Sequence, residues 1–313
     1  MSGKSWEDTP IAAAARQAAR VRTPNRLSLP RPERTRRLTI ANQKGGVGKT
    51  TSAVNLAAAL AAHGLKVLVI DSDPQGNAST ALDIEHRSGT PSTYEVLIGE
   101  CQPEEAIQPS PESPNLFCIP ATLDLAGSEI ELVNLFNRES RLRMALTDDF
   151  LDEHGFDYLI IDCPPSLGLL TLNAMTAADE VIIPIQCEFY ALEGVTQLLN
   201  NIRMIRQHLN PRLHISAVLM TMYDGRTRLA EDVVREVRNH FGEAVLRNII
   251  PRSVKVSEAP GYSKTVISYD PGSRGALAYI DAAKELAERG DYLPTEESNA
   301  IGVPPEHSDG GNS

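Results

Sequence analysis

The sequence predicts an α/β protein, a single domain with a mostly parallel, twisted sheet covered by helices on both faces. Three observations carry this expectation. Short apolar runs recur between helical stretches along the chain, the pattern of strands buried on both sides. The first run, Leu38 to Ala41, passes through Gly45, Gly46 and Gly48 into Lys49, Thr50, Thr51 and an alanine-rich helix over 52–62. Two later runs, 66–70 and 156–161, each deliver an aspartate at their carboxyl ends, Asp71 and Asp162.

Taken in order, residues 1–37 hold four prolines and nine basic residues against three acids, which predicts a flexible basic leader with a short helix over 11–21 and an extended stretch over 22–37. After the glycine loop, its helix and the strand 66–70, the chain from 84 to 113 is rich in turn residues, with a short helix at 93–98. A strand is expected at 115–119. An amphipathic helix at 123–136 should present Leu125, Ile130, Leu132, Val133 and Leu135 inward, and a second helix follows at 141–153. Then come strands at 156–161 and 181–185, a helix at 192–209, a strand at 213–220, a charged helix at 228–241, a short strand at 245–250, and a final helix at 273–289 with Ala276, Leu277, Ile280, Ala283 and Leu286 inward. The acidic, proline- and glycine-containing residues 291–313 are expected to be disordered. The domain proper is therefore 38–290.

Net charge is −11, unevenly spread, with +6 in the leader and −5 in the tail. An acidic body argues against wholesale coating of nucleic acid and leaves room for a local basic patch. Cys101, Cys118, Cys163 and Cys187 show no paired spacing and no histidine-rich companion, which argues for buried reduced thiols rather than a zinc or iron–sulfur site. No apolar run reaches membrane-spanning length and the amino terminus lacks a signal-peptide core, so a cytoplasmic location is expected.

The glycine loop carries specific chemistry. Glycines let backbone N–H groups converge at a helix start and form a nest for a polyphosphate. Lys49 adds a mobile positive charge, the Thr50 hydroxyl is placed to ligate Mg²⁺, and Lys44 supplies a second lysine five residues earlier. Asp71 and Asp73 are expected to face the nucleotide. Asp162 is the acid that orients Mg²⁺ coordination on the Thr50 side. This makes the fold class a phosphate-loop NTPase. Cys163, next to Asp162, reads as packing.

Five motifs together resemble the ParA/Soj family of DNA-partitioning ATPases, within the deviant Walker A group: Lys44–Thr51, Asp71–Asn77, Ile161–Ser166, Gln186–Gly194 and Pro251–Pro260. The resemblance spans about residues 37 to 290. It implies an ATP-dependent sandwich homodimer in which Lys44 reaches the phosphates of the opposite subunit and Lys49 holds its own. The nucleotide site would comprise Lys44, Gly45, Gly46, Val47, Gly48, Lys49, Thr50, Thr51 and Pro251, with Asp73 orienting water and Thr50 and Asp162 at Mg²⁺. It further implies nonspecific double-stranded DNA binding through Arg226 and Lys255, association with the nucleoid, and a ParB-type centromere-binding partner that stimulates hydrolysis. The leader departs from short members of the family and falls short of the extension of long ones. A MinD-like membrane ATPase would be expected to end in a basic amphipathic helix, whereas this chain ends in Glu296, Glu297, Pro304, Pro305 and Glu306. An iron–sulfur reductase would need cluster cysteines at a dimer axis, and an ATP-switched binding module without turnover is the non-enzyme alternative.

Overall fold

The structure, a computed structural model, describes residues 29–189, 191–192 and 195–290. The helix expected at 11–21, the leader up to residue 28 and the tail 291–313 lie outside these residues.

Seven strands form one sheet: β1 (Arg36–Ile40), β2 (Val67–Asp71), β3 (Gln108–Pro109), β4 (Leu116–Ile119), β5 (Tyr158–Asp162), β6 (Glu180–Gln186) and β7 (His214–Thr221). Their order is β3-β4-β2-β5-β1-β6-β7, parallel throughout except for β3 at one edge. Alternate side chains of each strand feed two cores. Leu68, Ile70, Leu159 and Ile161 face one side, while Val67, Val69, Tyr158 and Ile160 face the other, as the period of two requires. The Lys49–Ala62 and Arg274–Arg289 helices cover the second face, which explains the alanine-rich composition of both: small side chains let them pack closely on the sheet and on each other. Among the described residues, no helix is long and apolar enough to cross a membrane.

Four expectations change. The helix expected over 141–153 is two helices, Arg141–Ala145 and Asp148–Glu153. The Leu146 carbonyl accepts a bond from Arg37 Nη1 (2.8 Å), and the Thr147 hydroxyl caps the second helix by accepting from Phe150 N (3.1 Å). The strand expected at 245–250 is reduced to isolated bridges at Val245 and Pro251, because the Glu285 carboxylate draws the Arg247 and Asn248 N–H groups (2.8 and 3.1 Å) out of the ladder. In the final helix Tyr279 and Ala282 are buried while Leu277 and Ile280 are only half-buried. The helix expected at 123–136 runs from Leu125 to Leu132, and Ile130 and Val133 face solvent rather than the core.

The leader boundary also moves. Arg36 and Arg37 belong to β1 and are buried. The Arg36 guanidinium donates to both Glu180 oxygens (2.8 and 2.6 Å) and to the Leu286 carbonyl (2.7 Å), while Arg37 pairs with Asp148. Upstream of them, Leu29 sits in the core, Arg31 pairs with Asp157 (2.8 Å) and the Thr35 hydroxyl donates to the Phe156 carbonyl (2.6 Å). Residues 29–37 are thus docked rather than extended and mobile. Leu29 supplies most of that docking energy, since burying a leucine is worth about 1.5–3 kcal/mol and an exposed ion pair at most about 1 kcal/mol. A chain beginning at residue 36 is therefore expected to be about 2 kcal/mol less stable in urea unfolding than one beginning at residue 29; equal midpoints would show that the segment adds nothing.

Candidate nucleotide-binding site

The loop between β1 and the Lys49–Ala62 helix is held from both sides. Asn42 donates from Nδ2 to the Pro184 carbonyl (2.8 Å) and accepts from Lys44 N (3.0 Å), while the Thr221 hydroxyl donates to the Val47 carbonyl (2.8 Å). Gly48 adopts φ +89°, a left-handed conformation that a side chain would strain, and delivers the chain into the helix. Around this turn lies a cleft of ≈ 260 Å³ lined by Gly45, Gly46, Gly48, Lys49, Thr50 and Thr51 on the loop side, and by Asp73, Asn77, Pro165 and Met222 opposite. Lys49 is buried, with Nζ 3.3 Å from the Lys44 carbonyl. Burial lowers its pKa, against the pull of Asp162, Cys163 and Asp73.

Three aspartates gather at the carboxyl edge, and their hydrogen bonds separate their roles. Asp71 and Asp162 are paired in register across β2 and β5. Asp71 is consumed internally: it accepts from Ser79 N (2.8 Å), Ser79 Oγ (2.7 Å) and Asp73 N (3.2 Å), so it braces the turn entering the Asn77–Ala81 helix. Burial pushes it up to about 6, with the Ser79 bonds holding it down. Asp73 lines the cleft, and its Oδ1 accepts from Gln75 N (3.0 Å).

Asp162 is fully buried, and neither carboxylate oxygen has a hydrogen-bond partner among the described residues. Burial raises its pKa well above the carboxylate range. The Asp71 charge adds to this, the Thr50 hydroxyl opposes it, Asp73 raises it further and Lys49 draws it back. A buried carboxylate with two free oxygens beside a threonine hydroxyl and a lysine fits a site for a hard cation that keeps part of its water and takes phosphate oxygens as further ligands. Cys163 packs instead: burial pushes its thiol up to about 12, and Sγ lies 3.0 Å from Thr39 Oγ1.

The remaining expected site residues are distributed as follows. Val47 is buried behind the loop rather than lining the cleft. Lys44 is half-buried, and its side chain has no polar partner among the described residues. Pro251 lies outside the lining; its backbone pairs with Tyr223, next to Met222. The same bridge, with Arg252 N donating to the Tyr223 carbonyl (2.9 Å), brings the segments of Arg226 and Lys255 together on the surface. Each cation there already has an acidic partner: Arg226 holds both Asp224 oxygens (2.8 and 2.6 Å), Lys255 holds Glu258 (3.0 Å) and Arg252 holds Glu188 (2.9 Å). Sequence reasoning missed Asn77, Pro165 and Met222. Asn77 and Pro165 lay inside motifs already singled out. Met222, a non-glycine residue at φ +53°, carried no signal in the sequence.

Residues 35–215 match the family described as AAA domain. The chain is 51% identical over 253 residues to the sporulation initiation inhibitor protein Soj of Bacillus subtilis, covering 81% of this chain and 98% of that protein. It is 52% identical over 253 residues to the chromosome partitioning protein ParA of Caulobacter vibrioides, covering 80% of this chain and 94% of that one. Among solved structures, a Mycobacterium smegmatis protein described as cobyrinic acid a,c-diamide synthase, with a bound ATP analogue and magnesium, superposes with TM-score 0.70 at 41% identity, covering 82% of this chain and 95% of that one. With its seven-stranded, mostly parallel sheet and its phosphate loop, the chain belongs to the ParA/Soj family of partitioning ATPases.

Proposed function

We propose that the chain binds ATP with Mg²⁺, dimerises across the bound nucleotides, binds double-stranded DNA without sequence preference in that state, and is released when a ParB-type partner stimulates hydrolysis. The observation that carries the nucleotide half of this reading is the Asp162 carboxylate, buried with both oxygens free beside Thr50 and Lys49. Residues 29–290 act as one ATPase unit in this reading, with the basic leader and acidic tail as appendages.

The loop N–H groups and Lys49 hold the phosphates of the chain's own nucleotide. Its buried position makes the Lys49 charge effective, because little water screens it. Thr50 and Asp162 would hold Mg²⁺, which when bound neutralises charge on the phosphate oxygens. Asp73 lines the cleft and orients the attacking water, a positioning role that supplies much of phosphoryl-transfer catalysis. Lys44, without a polar partner in its own chain among the described residues, serves the second subunit's phosphates. Arg226 and Lys255 provide phosphate contacts for DNA. Their acidic neighbours keep a single surface weak, and two copies in a dimer present it twice.

The direct test of the whole reading is duplex binding measured in ATP, ADP and no nucleotide; the reading requires binding in ATP alone, and equal binding in all three contradicts it. Lys44→Ala is expected to keep monomer ATP binding but lose ATP-dependent dimerisation in light scattering, whereas Lys49→Ala loses nucleotide binding itself. Wild-type dimerisation by the Lys44→Ala protein would remove the cross-subunit role. Arg226→Glu or Lys255→Glu should weaken DNA binding and lower its salt slope by about 1 or more, with dimerisation intact. If both reversals bind as wild type while loss of the basic leader abolishes binding, the leader is the DNA arm.

A further inference from the structure

Along the Leu125–Leu132 helix, Asp124 at its start accepts from the Ser88 hydroxyl (2.9 Å) and Glu131 from the Tyr94 hydroxyl (3.0 Å). Glu129 differs from both. Its residue is half-buried, and Oε1 is buried with no hydrogen-bond partner among the described residues. A carboxylate oxygen shielded from water without a donor is costly to keep.

Its contact with Gly168 gives that position a purpose. A Cβ built on Gly168 would lie 1.9 Å from Glu129 Oε1, 2.9 Å from Cδ and 3.3 Å from Oε2, so the carboxyl group occupies the space a side chain would need. Gly168 has φ −82° and ψ −170°, extended backbone open to any residue, and its glycine is therefore a matter of room rather than conformation. From Gly168 the Leu169–Ala177 helix starts, with no side-chain cap. The Glu129 carboxyl group stands where a capping side chain would, at the positive end of the helix dipole, which favours its negative charge.

That helix start holds one wall of the nucleotide cleft. Residues 163–168 link Asp162 at the end of β5 to the helix. Within this link the Ser166 carbonyl accepts from the Thr171 hydroxyl in the first helical turn (2.6 Å), and Pro165 lines the cleft across from the phosphate loop. A shift of the first turn therefore carries Ser166 and Pro165 with it. Glu129 is not part of the cleft lining and acts on it from behind.

We propose that Glu129 is a positioning residue for ATP hydrolysis: its carboxylate holds the start of the Leu169–Ala177 helix and, through Thr171 and Ser166, keeps the Pro165 wall where the attacking water and the phosphates require it. The inference rests on the ATPase reading of the preceding section and adds to it a residue outside the cleft. Such positioning acts on the reaction step more than on binding, since a displacement of about 1 Å can cost on the order of a hundredfold in rate.

Single-turnover hydrolysis of MgATP by the full chain, with ATP affinity and melting temperature measured on the same protein, tests this. Glu129→Ala should slow hydrolysis by about tenfold or more and change ATP affinity by less than about threefold. Glu129→Gln keeps the shape and can accept a hydrogen bond without the charge, so its rate should fall between that variant and wild type. Gly168→Ala should match Glu129→Ala, because the added methyl expels the flexible end of Glu129 rather than moving the backbone. In the Glu129→Ala background the same substitution should cause no further loss. A purely structural contact would lower the melting temperature of both single variants and leave the rate per folded molecule unchanged, which would overturn the proposal. Additive losses in the double variant would overturn it too. A wild-type chain that binds MgATP without turning it over would remove the ATPase reading, and the proposal with it.

Discussion

β5 carries Asp162 into the middle of the sheet's carboxyl edge, between β1 and β2, and leaves its charge there without a hydrogen bond. An uncompensated buried carboxylate costs the fold several kcal/mol or forces the group to take up a proton. The rest of the site is arranged about that debt. Lys49 is buried close enough for each to draw the other toward its charged form, Thr50 brings a hydroxyl, and Asp71, the other strand-end acid, has its oxygens taken up by the Ser79 and Asp73 bonds. The pocket is poised for a cation and phosphates because its own groups do not complete one another.

The opposite edge of the sheet is built the other way. Arg36 and Glu180 bury a bidentate pair there, and Asp179 accepts a bond from Arg212 (2.9 Å) with Arg143 in ion-pair range at 3.6 Å. The Arg36–Glu180 pair is satisfied within the chain, whereas both Asp162 oxygens are left without a partner among the described residues. The loop around the cleft is held separately: Asn42 and Thr221 fasten it to β6 and β7 through neutral hydrogen bonds within the chain.

The central sheet was legible in the sequence because parallel strands buried on both faces read as unbroken apolar runs, and the glycine loop because few other local chemistries explain it. What escaped depended on residues far apart in the chain. Arg36 and Arg37 looked like the end of a basic leader, since the acids that bury them, Glu180 and Asp148, lie more than a hundred residues away. The break at Thr147 was readable as a threonine before two acids, a helix-start signal, but the apolar periodicity running across it concealed it. Ile130 and Val133 fit an inward face by spacing alone, and only the packing shows that they point out. Of the candidate site, Gly45, Gly46, Gly48, Lys49, Thr50, Thr51 and Asp73 converge on one cleft. Met222 joins them through a strained backbone that no residue pattern announces.

Short chain segments lead from the nucleotide cleft to the ion-paired surface of Arg226 and Lys255 and to the turn under the Leu125–Leu132 helix. Met222 in the cleft is followed by Tyr223, which pairs with Pro251 beside the cations, and Pro165 leads to Gly168 under Glu129. We propose that Asp162 is kept buried and unpaired for a metal-bound nucleotide, at the expense of stability. Melting temperature and ATP affinity of Asp162→Asn, measured with and without Mg²⁺, decide this: the free variant should be at least as stable as wild type and should lose the Mg²⁺ enhancement of ATP binding. A less stable variant that keeps the full enhancement would exclude the role.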